Sequence, residues 1–355
     1  MKKKKLLMLS THLAGGCFQY SNEIITNWPG NKELVMPDIT NEHHSLHPDW
    51  TIKYYGHSTL LRSLSLICCI SRILINALLG RYSGLLIFGN ARWDYIVLKY
   101  WQLTKLPSYC VVHDGKMHTG EKNRENQKLI VNIMKMATGI IFLSQYVKEI
   151  VKDNFEINKL SFIVPHGLID YGPLPAISKP SKPTLLFLGR VVKYKGIEML
   201  LDAIKKVPSH LYEHLVIAGK WSYTNETEYD HNKVTIVNKW LSNEDITRYI
   251  ALADIMVFPY LEATQSGVAT LAINYLRPVI VTNVGAFKEQ FDSDAALFVN
   301  PDTNELAEAI TTLLEQPERL EQMTKALAKL KVAYSWSSIS TDLYNNITRN
   351  SNIQA

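Results

Sequence analysis

Short apolar runs, each closed by glycine or a polar cluster, alternate along the chain with segments whose apolar residues recur every three or four positions. Leu6–Leu9 is followed by a polar turn with Gly15 and Gly16, then by a helical pattern from Tyr20 to Trp28. Leu85–Phe88, Cys110–His113, Gly139–Leu143 and Ser161–Val164 are further runs of this kind, with helix-patterned segments between them. That order predicts a parallel sheet with helical crossovers. Lys2 to Lys5 ahead of the first run mimic a secretory leader, but the run stops at Ser10-Thr11-His12, too soon for a leader's apolar core. We read it as a first buried strand.

Residues 177–183, Ile-Ser-Lys-Pro-Ser-Lys-Pro, carry two prolines and no apolar period, the composition of a linker. Strand-like runs restart at Thr184–Leu188, Leu215–Ala218, Val234–Val237, Ile255–Phe258 and Val279–Thr282, separated by amphipathic stretches such as Ile197–Val207 and Asn243–Leu252. The pattern predicts an α/β protein of two doubly wound Rossmann-like domains, 1–176 and 184–335, with a last segment 336–355. Ligands of such folds bind at the carboxyl ends of the strands, here in a cleft expected between the domains.

Leu60–Leu79 is apolar but interrupted by Arg62, Arg72 and Asn76, which suits an amphipathic helix better than a spanning one. Such a helix either packs into a core or lies on a membrane surface. Charge sharpens the second option: residues 1–180 hold 21 Lys/Arg against 13 Asp/Glu, whereas 181–355 hold 17 against 20. The basic residues are too dispersed for a nucleic-acid reader, so an anionic lipid surface or solvated faces remain. Cys17, Cys68, Cys69 and Cys110 show neither metal-ligand spacing nor a disulfide framework, consistent with a reducing, cytoplasmic compartment.

Two loops look chemical. In Phe187-Leu188-Gly189-Arg190-Val191-Val192-Lys193-Tyr194-Lys195-Gly196 a glycine turns the chain at a strand's end, and Arg190 and Lys195 precede the next helix. Helix amino termini attract anions, so the loop is either a diphosphate site or a solvated basic turn. In Pro259-Tyr260-Leu261-Glu262-Ala263-Thr264-Gln265-Ser266-Gly267-Val268, small residues permit close backbone approach, and Thr264 and Ser266 can bond phosphate or sugar oxygens. Val111-Val112-His113-Asp114-Gly115-Lys116-Met117-His118-Thr119-Gly120-Glu121 gathers two histidines and two carboxylates, which alone would suit a metal, a sugar contact or structural hydrogen bonding. Asp292-Ser293-Asp294 has the spacing of a metal-binding carboxylate pair but falls in a polar turn.

With these motifs in order, residues 184–317 resemble the donor-binding domain of retaining GT-B glycosyltransferases of the large family that assembles polysaccharides. The resemblance runs through Phe187–Ile204, His214–Trp221, Ala253–Tyr260, Ser266-Gly267-Val268, Arg277–Glu289 and Ala296–Ile310. It implies a GT-B fold, a nucleotide-diphospho-sugar donor, retention of configuration and no metal or other cofactor. By the same resemblance Arg190 and Lys195 neutralise the donor diphosphate, with Glu262 and His113 as further catalytic positions. Donor contacts are implied for Gly15, Gly16, Gly189, Asn238, Lys239, Trp240, Leu241, Thr264, Gln265, Ser266, Gly267 and Val268, and acceptor-side contacts for Asp114, His118, Glu121 and His166. Residues 336–355 are implied to form a helix that returns to the first domain.

One position departs from the family. Many members carry a second glutamate that holds the donor ribose, and Leu271 stands there. The expected activity is transfer of a hexosyl group to a glycan acceptor, lipid-linked by family habit, in cell-surface polysaccharide or lipopolysaccharide synthesis. The expected enzyme is a cytoplasmic protein peripheral to the membrane through 60–79, with no nucleic-acid partner. An epimerase or phosphorylase on the same fold, a metal-dependent hydrolase centred on His113, His118 and Glu121, and a non-catalytic sugar-nucleotide binder are the alternatives.

Overall fold

The computed structural model describes residues 4–12, 15–38, 46–53, 57–115, 124–224 and 227–353. His118 and Glu121 therefore lie outside the described residues. Two compact units emerge, one holding the described residues up to His166 together with those from Trp336 onward, the other Gly167–Ser335.

The first unit runs β1 (Lys5–Leu9), α1 (Gly15–Thr26), β2 (Lys32–Pro37), β3 (Trp50–Ile52), α2 (Thr59–Leu78), β4 (Tyr82–Ile87), α3 (Arg92–Trp101), β5 (Ser108–Val112), α4 (Arg124–Met136), β6 (Gly139–Phe142), α5 (Gln145–Phe155) and β7 (Leu160–Ile163). The second continues with β8 (Leu185–Leu188), α6 (Ile197–Ile204), β9 (Leu215–Ala218), β10 (Val234–Val237), α7 (Asn243–Leu252), β11 (Ile255–Phe258), α8 (Ala269–Asn274), β12 (Val279–Thr282), α9 (Phe287–Gln290), β13 (Ala296–Val299), α10 (Thr303–Glu315) and α11 (Pro317–Ala333). The last helix, α12 (Trp336–Ile353), belongs to the first unit.

Both sheets are parallel, in the orders β3-β2-β1-β4-β5-β6-β7 and β10-β9-β8-β11-β12-β13. Strand order reverses between β1 and β4 and between β8 and β11, the points where loops diverge and leave a crevice. The two-residue period of β1 explains how its sheet is covered. Leu7 and Leu9 pack with Ile73, Val97 and Trp101 on one face. Leu6 and Met8 pack with Tyr20, Ile24, Trp336 and Leu343 on the other.

Two expectations shift. The unit boundary falls at His166/Gly167, ahead of 176, because Ile169 N donates to Thr270 Oγ1 (3.1 Å) and Asn274 Nδ2 to the Ile169 carbonyl (3.0 Å). Within the supposed linker, Lys179 pairs with Asp254 at 2.6 Å, so 177–183 is fastened to the second unit. Secondly, α2 is not a core helix. Only Cys69, Ile73 and Asn76 are buried on it, whereas Leu60 is 69% and Leu78 85% exposed, with Leu64, Ile67 and Ile75 also outward.

Candidate functional site

The second unit builds two adjoining pockets at the β8/β11 reversal. After β8, Gly189 takes φ +123°, where an L side chain is strained and a Cβ would lie 3.3 Å from Lys195 Nζ. Gly196 takes φ +65°, and a Cβ there would sit 2.0 Å from the Pro259 carbonyl oxygen. The turn closing 189–196 can therefore press directly on the loop after β11. Leu261 N donates to the Tyr194 carbonyl at 2.7 Å and ties the two loops together.

One pocket, of 180 Å³, is lined by Tyr194, Lys195, Tyr260 and residues 262–268. Lys195 is its chemical centre. The residue is 7% exposed, and its Nζ lies 5.0 Å from the Tyr260 ring centroid. No carboxylate pairs with it among the described residues. Burial pulls its pKa down to about 8; the nearby Arg190 lowers it further, while Tyr194 acts the other way. A buried ammonium is costly unless a partner arrives, and its attraction for an incoming anion is correspondingly strong. Lys193 is engaged differently: it pairs with Glu198 at 2.7 Å and lies over the Tyr223 ring at 4.0 Å.

The loop holding Thr264, Gln265, Ser266 and Gly267 is fixed by residues that sequence reasoning missed. Gln290, itself buried, accepts from Ser266 N and donates to the Ser266 carbonyl, both at 3.0 Å. Thr282 Oγ1 donates to the Tyr260 carbonyl at 2.5 Å. Ala286 N donates to the Ala263 carbonyl at 3.0 Å. Glu262 lines the Lys195 pocket.

The second pocket, of 240 Å³, shares Val268 with the first and is walled mainly by hydrocarbon. Gly189, Arg190, Trp240, Leu241 and Leu271 line it. Asn238 and Lys239 do not: Asn238 Oδ1 accepts from Trp221 N (3.1 Å), and Lys239 pairs with Asp245 (2.8 Å) at the start of α7. Asp292, in the Asp-Ser-Asp turn, caps Ala295 N at 2.9 Å.

Of the residues expected in the first unit, Gly15 and Gly16 follow β1, His113 follows β5 and His166 follows β7. Gly15 opens α1 at φ +77°, with Gly16 next to it. His113, just past β5, packs edge-on to Tyr20 at 5.1 Å, and its buried Nε2 has no hydrogen-bond partner among the described residues. Burial holds its pKa well below the usual imidazole range, opposed by Asp114 and assisted by His166 and His12. His166 is buried against Trp336, ring centroids 5.2 Å apart. Beside β1 and β4, Asp94 Oδ2 accepts from Thr11 Oγ1 (2.6 Å) and Ala91 N (2.7 Å). Burial pushes Asp94 up to about 7 against those two hydrogen bonds.

Residues 182–316 match the family described as Glycosyl transferases group 1. An alpha-D-kanosaminyltransferase of Streptomyces kanamyceticus is 27% identical over 172 residues, covering 46% of this chain and 44% of that protein. Each curated relative so matched is covered over less than half its length. Among solved structures, HepE of Anabaena with UDP and glucose superposes with a TM-score of 0.71 at 14% identity, covering 98% of this chain and 100% of that one. Sucrose-phosphate synthase of Thermosynechococcus elongatus gives 0.70 at 17% identity, covering 99% and 100%. A UDP-N-acetylglucosamine 2-epimerase of the same fold gives 0.58 at 12% identity, covering 99% of this chain and 97% of that one. The chain thus has the GT-B fold, and its residues 182–316 are similar to the group 1 glycosyl transferases.

Proposed function

We propose that the chain is a retaining, metal-independent hexosyltransferase, moving a sugar from a nucleoside diphosphate to a hydroxyl of a lipid-linked glycan during cell-surface polysaccharide synthesis. The observation that carries this reading is the buried Lys195 ammonium, without a carboxylate partner among the described residues and set in a pocket with Tyr260, Glu262 and the 264–268 loop. A diphosphate supplies the charge that Lys195 lacks.

In the reaction the bond between the anomeric carbon and the diphosphate oxygen breaks, and its electron pair leaves with the diphosphate. Lys195 and Arg190 stabilise that developing charge, which they meet most strongly in the transition state. The acceptor oxygen bonds to the anomeric carbon on the face the phosphate leaves. Its proton passes to a departing phosphate oxygen. This route needs no covalent enzyme intermediate. The neutral imidazole of His113, in the first unit, suits hydrogen bonding to hydroxyls of a sugar or acceptor.

Support for an anionic membrane as the acceptor's setting comes from α2 and its surroundings. Leu60, Leu64, Ile67, Ile75 and Leu78 recur along one outward face. Between residues 51 and 113 there are seven Lys/Arg, and the single carboxylate, Asp94, is buried. Apolar burial and attraction to anionic lipid then act together. The four cysteines are free thiols, in keeping with a cytoplasmic location on the inner face of that membrane.

A thermal-shift panel of UDP, GDP, ADP and dTDP, each with its sugars, tests the donor reading. A true donor raises the melting temperature in proportion to the logarithm of its concentration. Flat curves for every nucleotide would remove the assignment.

A further inference from the structure

The apolar pocket beside Lys195 bears on which nucleoside the donor carries. Its hydrocarbon walls come from Ile169, Leu188, Leu241, Ile246, Val268 and Leu271. Trp240, 74% exposed, offers a ring face at its rim on which a base can stack. Val268 lines both this pocket and the Lys195 pocket, so a diphosphate held beside Lys195 leaves its nucleoside within reach of this space.

Among the described side chains that line it, the pocket has fewer acceptors than a ribose needs. None of the described residues lining it has a carboxylate, and the Arg190, Lys220 and Trp240 side chains only donate. Among the described residues, the Tyr171 hydroxyl is the one side-chain oxygen on its wall. A ribose brings two vicinal hydroxyls, each needing an acceptor once water is excluded, and a buried polar group left without a partner is costly. Leu271 is 2% exposed, on a helix buried throughout, so the wall has little freedom to retreat.

We propose that the donor is a 2′-deoxynucleoside diphosphate sugar, of the thymidine diphosphate class, and that Leu271 sets this preference. The proposal rests on the donor-site reading above and adds the substrate class. Where ribose would strand a 2′-hydroxyl against hydrocarbon, deoxyribose presents a methylene. An apolar pocket rejects an added hydroxyl by up to about 10²-fold, so a preference of about 10- to 100-fold is expected.

The test is calorimetric titration of the full chain at pH 7 with dUDP and UDP, which differ only in the 2′-hydroxyl, and with dTDP. Wild-type protein should bind dUDP about 10- to 100-fold more tightly than UDP, with dTDP at least equal to dUDP. Leu271→Gln supplies an acceptor and should narrow the ratio to about threefold or less, chiefly by tightening UDP. A melting curve checks that this variant is folded, and if it is not, the wild-type pair decides alone. UDP binding as tightly as dUDP overturns the proposal while leaving the donor site intact. An unchanged ratio in folded Leu271→Gln overturns the role of Leu271. Binding of none of the three overturns the donor reading itself, and this inference with it.

Discussion

The two strand-order reversals share a topology and differ in charge. At β8/β11 burial acts on a cation: Lys195 keeps its ammonium in a pocket with no carboxylate partner among the described residues. At β1/β4 burial acts on groups that escape the penalty by staying neutral, His113 by losing its proton and Asp94 by keeping one up to about pH 7. On the function proposed above, one site takes an anion and the other neutral hydroxyls. The lesson is that a doubly wound sheet supplies the crevice twice, and the few side chains at each rim decide what enters.

The sharpest way to break the comparison is to remove the charge. Lys195→Met should lower turnover by about 10²–10³-fold, the range for deleting a preorganised charge-stabilising donor. Stability should hold or rise, since replacing a buried unpaired charge by hydrocarbon is favourable. A large melting-temperature loss in this variant would mean that Lys195 is structural. Gly196→Ala attacks the loop geometry instead. With φ at +65° and the Pro259 carbonyl in the way, it should cost on the order of 1–3 kcal/mol in urea unfolding. An unaltered midpoint would contradict the close approach.

Asp94 tests the first unit. Its folded value is raised from 3.8 to about 7, so between those pH values the native state binds more protons than the unfolded one, and stability falls as pH rises. Asp94→Asn should flatten that slope and leave the protein about 1–2 kcal/mol more stable at pH 8, by urea titration. A slope that survives the substitution would place its source elsewhere. The smallest effect on folding is expected on α2. Leu64→Ser with Ile67→Ser should change stability by about 0.5 kcal/mol or less yet reduce sedimentation with anionic vesicles severalfold. Unchanged sedimentation would withdraw the membrane face.

Much of the fold was legible because parallel strands buried on both faces read as unbroken apolar runs. Leu215–Ala218, Val234–Val237, Ile255–Phe258 and Val279–Thr282 coincide with β9, β10, β11 and β12. β2 was missed because Lys32 and Glu33 begin it, and β3 because three residues make no pattern. Glu33 is tolerated because it accepts from Lys5 Nζ, Trp50 Nε1 and Tyr82 Oη, partners from three other strands. In the site, the sequence pointed to Arg190 and Lys195 but could not show that Lys195 is enclosed while Lys193 is spent on Glu198. Gln290, Thr282, Tyr20 and Trp336 were invisible for a related reason. Each acts on residues many positions away, a relation that local pattern does not encode.

Lys195 also supplies the most direct test. Its folded value, about 8, lies below the ordinary 10.5, so the free protein loses this charge well before an exposed lysine would. Nucleoside diphosphate affinity should be measured by calorimetry at pH 7 and pH 9.5 in wild-type protein and in Lys195→Met. The account predicts at least about a tenfold loss between the two pH values in wild type, from the deprotonating ammonium, and weak, pH-independent binding in the variant. Equal affinity in the two proteins, with the same pH dependence, would contradict it.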